Sequence, residues 1–241
     1  MPLDQIYKQL LNSHPENLDK INNLLKAILL NRFKEITPGT SFSKPKVLWE
    51  VEQYVQLTIH RVYELGEGAT EAWNNSHPAI CFILTRALIE NVAALVDVIT
   101  QIESFVGQNN LTEIHNLVVN RLLGGKLGDF PAELKISNIL TAIDKTDNHF
   151  PDHQVRTLYD FLSEFAHPNS LGMHGLYGHL DAKTQILTID PANAMTRQHF
   201  TVITQSLVRI LSIWANTVLK VDTLYAQIIK IAEQDESSQK R

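Results

Sequence analysis

The sequence is short of the residues that interrupt secondary structure. Its ten glycines and nine prolines in 241 residues come to about 8%, against an average near 12%, so turns are few and elements long, which points to helices. A single cysteine, Cys81, excludes an internal disulfide and a thiolate metal cluster, and fits a reducing compartment. The most apolar stretch, Ala79 to Val106, is interrupted by Arg86, Glu90, Asp97 and Glu103. It falls short of the roughly 18 uncharged residues of a membrane span and reads as a core helix. The start of the chain has no basic segment followed by an apolar one, so no signal peptide is expected. Excess positive charge is missing as well. The net charge of −5 divides into −4 on residues 1–120 and −1 on residues 121–241, which disfavours strong nonspecific DNA binding and leaves open a local basic groove. Together these absences describe a cytoplasmic protein without membrane association, for which no cofactor is expected.

With 44% hydrophobic and 20% charged residues, the chain is long enough to bury a sizeable core. Leu18, Ile21, Leu24, Leu25, Ile28 and Leu29 recur at helical spacing and predict a helix over 16–36, ended by Pro38 and Gly39. A second helix is predicted from Val47 to near Gly66, followed by a loop to Ser76. Helices over 78–106 and 110–123 come next, then a glycine-rich turn from Gly124 to Asp129 that lacks the spacing of a phosphate-binding loop. Further helices are predicted over 131–143, 151–166 and 194–233, with the last seven residues frayed. The exception is a hairpin. Met173 to Leu180 and Gln185 to Asp190 alternate about the polar linker Asp181–Thr184, and pairing Leu180 with Gln185, Gly178 with Leu187 and Leu176 with Ile189 puts the apolar side chains on one face. The expected fold is mainly all-α: one helical domain over 1–241, a bundle around the buried helix 78–106, with a small β-hairpin near 173–190. Residues 1–45 are expected to form a peripheral helical extension.

Candidate chemistry concentrates in two places. On the helix 78–106, Arg86, Glu90, Asp97 and Gln101 fall within about 60° of one another, one polar stripe on an otherwise apolar surface, able to hold a ligand or to serve as an ion-paired strip. In the segment 159–172, Tyr159, Ser163 and His167 step by four down one face, and Arg156, Asp160 and Glu164 down the next. Pro168 places His167 at or just past a helix end, as a cap or as a proton donor. Asn169 finishes the turn. A metal reading of Glu164-x-x-His167 with Glu90 needs a second such pair that the chain lacks. Cys81 lies in an apolar run, where a reactive thiolate is disfavoured.

The Arg-x3-Glu pair of residues 86–90, followed by Ser-Glu-x2-His-Pro-Asn at 163–169 and a small hairpin, resembles a group of uncharacterised prokaryotic helical proteins. Through them it resembles the HEPN superfamily, over about residues 77–190. The resemblance implies a helical bundle that dimerises, with RNases of toxin and antiviral systems among its members. Those nucleases carry Arg, four to six residues, then His, and none of the eight arginines here has a histidine at that distance. The leading expectation is therefore a noncatalytic, HEPN-like binding or interaction module, homodimeric, taking a protein, nucleotide or RNA partner in a polar pocket. Its candidate residues are Arg86, Glu90, Asp97, Tyr159, Ser163, His167 and Asn169, with Arg86 and Glu90 expected to meet the turn around His167. The alternatives are a divergent RNA-directed nuclease using His167 with Arg86 or Arg156, and a metal-dependent helical enzyme with Glu90, Glu164 and His167 as ligands.

Overall fold

The computed structural model describes residues 15–38, 45–124, 138–189 and 197–239. It is an all-α bundle with one small hairpin. Helix α1 covers Pro15–Leu30, α2 Lys46–Asn74, α3 Pro78–Gly107, α4 Leu111–Leu123, α5 Ile139–His149, α6 Val155–Ala166 and α7 Ser170–Tyr177. Strands β1, Gly178–Asp181, and β2, Ile186–Ile189, precede α8, Arg197–Val218, and α9, Val221–Gln239.

The centre is α3, whose Leu88, Ile89, Val92, Leu95, Val98, Ile99 and Ile102 are buried on all sides. The other helices supply the walls. Ile21, Leu25 and Ile28 of α1, Val51, Val55, Ile59 and Val62 of α2, Leu162 and Phe165 of α6, Leu207, Leu211 and Trp214 of α8, and Leu224 and Ile228 of α9 belong to the same core cluster. Phe82 of α3 stacks on Phe165 of α6 with ring centroids 4.5 Å apart, and this contact sets α6 alongside the central helix.

Several boundaries differ from the sequence expectation, each for a tertiary reason. Helix α1 stops at Leu30 instead of running to 36. Asn31 and Arg32 N–H still close the last turn on Ile28 O and Leu29 O, and from there the backbone turns to α2: Gln56 Oε1 accepts from Phe33 N at 2.9 Å and Gln56 Nε2 donates to Asn31 O at 3.1 Å. Arg32 Nε donates to His60 Nδ1 at 3.1 Å, and His60 Nε2 lies 2.9 Å from Phe33 O. Helix α2 runs through Gly66 to Asn74. Gly66 is a crossing point, not a stop: a Cβ there would come within 2.7 Å of Leu25 Cδ2 on α1. The expected helix 194–233 is two helices, with Leu219 and Lys220 in a turn between them. A straight 40-residue helix would extend about 60 Å, and the break keeps Val221, Leu224, Ile228 and Ile231 of α9 in the core. The expected frayed tail is helical as far as Gln239.

Helix α4 ends where glycine was expected to end it, with Gly124 N–H on Asn120 O at 3.0 Å. The rest of that turn and the first part of the expected helix 131–143 lie outside the described residues, and the helix described nearby is Ile139–His149. In the hairpin segment, Met173 to Tyr177 are helical rather than extended, because Asn169 Oδ1 accepts from Gly172 N at 2.9 Å and caps α7. A Cβ on Gly172 would overlap the carbonyl oxygen of His167, so the turn closes backbone on backbone. The strands pair two residues out of the expected register: Gly178 with Ile189, His179 with Thr188, Leu180 with Leu187 and Asp181 with Ile186. Asp181 Oδ1 accepts from Lys183 N at 2.8 Å and its carbonyl from Gln185 N at 2.8 Å. These bonds extend the turn over residues 182–185 and fix the new register. A shift of two leaves the same side chains on the same face.

Candidate functional site

The polar stripe of α3 divides into two clusters, closed by different neighbouring helices: α6 for the first, α4 and α5 for the second. In the first, Arg86 and Glu90 are one turn apart and face Tyr159 of α6. Arg86 Nη2 donates to Tyr159 Oη at 2.8 Å, and the phenol donates to Glu90 Oε1 at 3.0 Å. The direct Arg86–Glu90 contact is longer, 3.4 Å. The guanidinium carbon also lies 5.0 Å from the Tyr159 ring centroid, within cation–π range. The Tyr159 ring is buried, while the Arg86 and Glu90 side chains keep 28% and 32% of their surface. Arg86 Nε is buried with no hydrogen-bond partner among the described residues. The cluster is thus an ion pair with a phenol inserted in it and an edge open to solvent.

The second cluster is deeper. Asp97, 3% exposed, receives Lys145 Nζ of α5 at 2.6 Å, Arg121 Nη2 of α4 at 2.8 Å and Gln101 Nε2 at 2.9 Å. One carboxylate therefore ties α3 to α4 and α5. Two cations on one anion leave the cluster a formal +1. Nearby, Tyr54 of α2 donates to Ala94 O at 3.4 Å. Burial pushes its phenol up to about 12, against the pull of Arg121. Arg121 and Lys145 were not among the sequence candidates. The signal was present, since Arg86, Glu90 and Asp97 together lack one cation, and a buried carboxylate must recruit it from another helix. A further pair, His115 of α4 on Glu50 of α2 at 2.6 Å, was also missed.

The remaining candidates do not converge on Arg86. Ser163 Oγ donates to Tyr159 O at 2.8 Å along its own helix. His167 follows the last residue of α6 with extended backbone, as Pro168 demands. It is exposed, and eight residues separate it from Tyr159, about 12 Å of helix rise. Where Arg86 and Glu90 were expected to meet the turn around His167, the residue of that segment they hydrogen-bond is Tyr159, two helical turns earlier on α6. Asn169 caps α7 and donates Nδ2 to Glu164 Oε2 at 2.8 Å. Arg156 is held by Asp144 at 2.8 Å and Asp160 at 2.9 Å. Among the described residues no three of His, Cys, Asp and Glu gather as metal ligands, so Glu90, Glu164 and His167 do not form the set that a metal enzyme would need. Cys81 is fully buried and its thiol is pushed up to about 12 by burial. Two stretches, Pro78–Gly107 and His199–Asp235, are long and apolar enough to cross a membrane, and half of the most apolar window of each is buried inside the protein.

The class that fold and site define is an all-α bundle whose central helix carries two buried or half-buried ion-pair networks. Set against protein-family models, curated proteins and solved structures, the chain has no match.

Proposed function

We propose that this chain is a noncatalytic helical interaction module, HEPN-like and homodimeric, with the Arg86–Tyr159–Glu90 edge as its polar binding element. The observation that carries the reading is the engagement of the candidate polar groups. Arg86 with Glu90, Asp97 with Arg121 and Lys145, and Arg156 with Asp144 and Asp160 are already paired. His167 stands apart from them at a helix end. Nucleophilic or acid–base chemistry requires a group with its partner in hydrogen-bond reach and lone pairs to spare. Recognition requires only a fixed donor and acceptor at a surface. Arg86 and Glu90 provide these, held in place by the buried phenol.

The test is incubation of the purified chain with labelled RNA beside a His167→Ala variant, together with light scattering. The expected result is no cleavage by either protein and a mass about twice the 27.3 kDa chain. Cleavage lost in His167→Ala would overturn the noncatalytic reading in favour of a divergent nuclease.

A further inference from the structure

A cavity of about 280 Å³ opens where the end of α1, the middle of α2 and the turn between α8 and α9 meet. Its inner wall is apolar, with Val55 and Ile59 of α2 buried there. The mouth is made by two departures from helical continuity. Past Leu30 the backbone is tied to α2 through Gln56, which brings Phe33 to the rim. The break between α8 and α9 brings Leu219 there as well. Both side chains are exposed, so neither is used to fill the core.

One donor in this lining has no partner. Trp214 of α8 is only 2% exposed, and its indole N–H is buried with no hydrogen-bond partner among the described residues. A buried donor left unpaired costs stability, and phenylalanine would supply an apolar ring without that cost. A bound acceptor removes the penalty. We propose that this cavity binds a neutral, largely apolar small molecule the size of two fused rings, whose hydrogen-bond acceptor takes the Trp214 N–H.

Size, polarity and charge each limit the ligand. An apolar cavity of about 150 Å³ accepts benzene, so the volume of about 280 Å³ corresponds to a bicyclic ring system. Few other polar groups are available, since the Gln56 amide is engaged by Phe33 N and Asn31 O and the Asn31 amide by Ala27 O. This is the usual makeup of a small-molecule site, an apolar concavity with very few polar groups. An indole N–H requires a lone pair, which excludes an ammonium group as its partner. Anions are disfavoured by Asp222 in the lining and by Glu52 near it. Burial raises the phenol of Tyr225, which also lines the cavity, and these two carboxylates raise it further. The cavity shares no residue with the Arg86–Tyr159–Glu90 edge, so the two sites stand or fall separately.

Quinoline and naphthalene test the assignment, being of one shape and differing by a single ring-nitrogen acceptor. The chain has three tryptophans, and Trp214→Phe identifies which indole N–H resonance belongs to Trp214. Titrating quinoline into the labelled intact chain at neutral pH is expected to move that resonance downfield saturably and to leave those of Trp49 and Trp73, which line no part of the cavity, in place. Naphthalene is expected to bind roughly three- to tenfold more weakly, the loss of one hydrogen bond, and Trp214→Phe to bring quinoline down to the affinity of naphthalene. Ala215→Leu, which fills the cavity from α8, is expected to abolish binding of both probes without lowering the melting temperature. The wild-type comparison of the two probes decides the matter even if a variant fails to fold. Quinoline that binds no tighter than naphthalene, a Trp214 resonance that does not move, or binding unaffected by Ala215→Leu overturns the site. Tighter binding of 2-naphthoate than of quinoline overturns the neutral ligand class.

Discussion

Asp97 and Glu90 sit on the same stripe of α3 and differ in how far water reaches them. Asp97 is buried with Arg121, while Glu90 keeps a third of its surface. Removing a buried partner strands the opposing charge and costs roughly 3–5 kcal/mol; a half-exposed carboxylate is screened, and its loss costs about 1–2 kcal/mol, chiefly through the phenol left without an acceptor. Urea unfolding should therefore rank Asp97→Ala well below Glu90→Ala, with Tyr159→Phe near the latter; equal losses would mean that burial does not separate the two clusters. The buried phenol and thiol give a second prediction. Cys81 is raised from 9.0 to about 12 and Tyr54 from 10.0 to about 12. In each case the folded state keeps a proton that the unfolded chain gives up. Stability is then full below about pH 9 and lost as pH climbs toward 12. Alkaline unfolding curves of Tyr54→Phe and Cys81→Ala should slope less steeply over that window than those of the wild type.

At the scale of the element, the two glycines that matter had opposite fates as sequence signals. Gly124 ends α4, whereas Gly66 lies inside α2, where α1 crosses it. In an exposed helix interior, Gly→Ala gains about 1 kcal/mol. At Gly66 the added methyl meets Leu25 of α1, so Gly66→Ala should destabilise by about 1–3 kcal/mol, the cost of overpacking. A second change, Leu25→Ala, should return part of the loss, and thermal melts of the single and double variants measure that coupling. Additive losses would show that the helices do not touch there. The segment after His167 shows the same dependence on context. Met173 to Tyr177 alternate like a strand, yet the Asn169 cap makes them the first helix after the turn.

Across the whole molecule, periodicity and composition were enough to determine the all-α class, the central helix Pro78–Gly107 and the one hairpin, because burial on every side leaves an apolar signature in the chain itself. The polar stripe was legible for the same reason: four polar side chains on an apolar helix must be satisfied somewhere. Which groups satisfy them was decided only by packing. Tyr159 rather than the His167 turn, and Arg121 and Lys145 from two other helices, are contacts between residues far apart in sequence, and no local pattern encodes them. The end of α1 at Leu30, the passage of α2 through Gly66 and the break at Leu219 belong to the same group. In each case a local propensity competes with hydrogen bonds or side-chain contacts supplied by another element, and these exist only once the core has assembled.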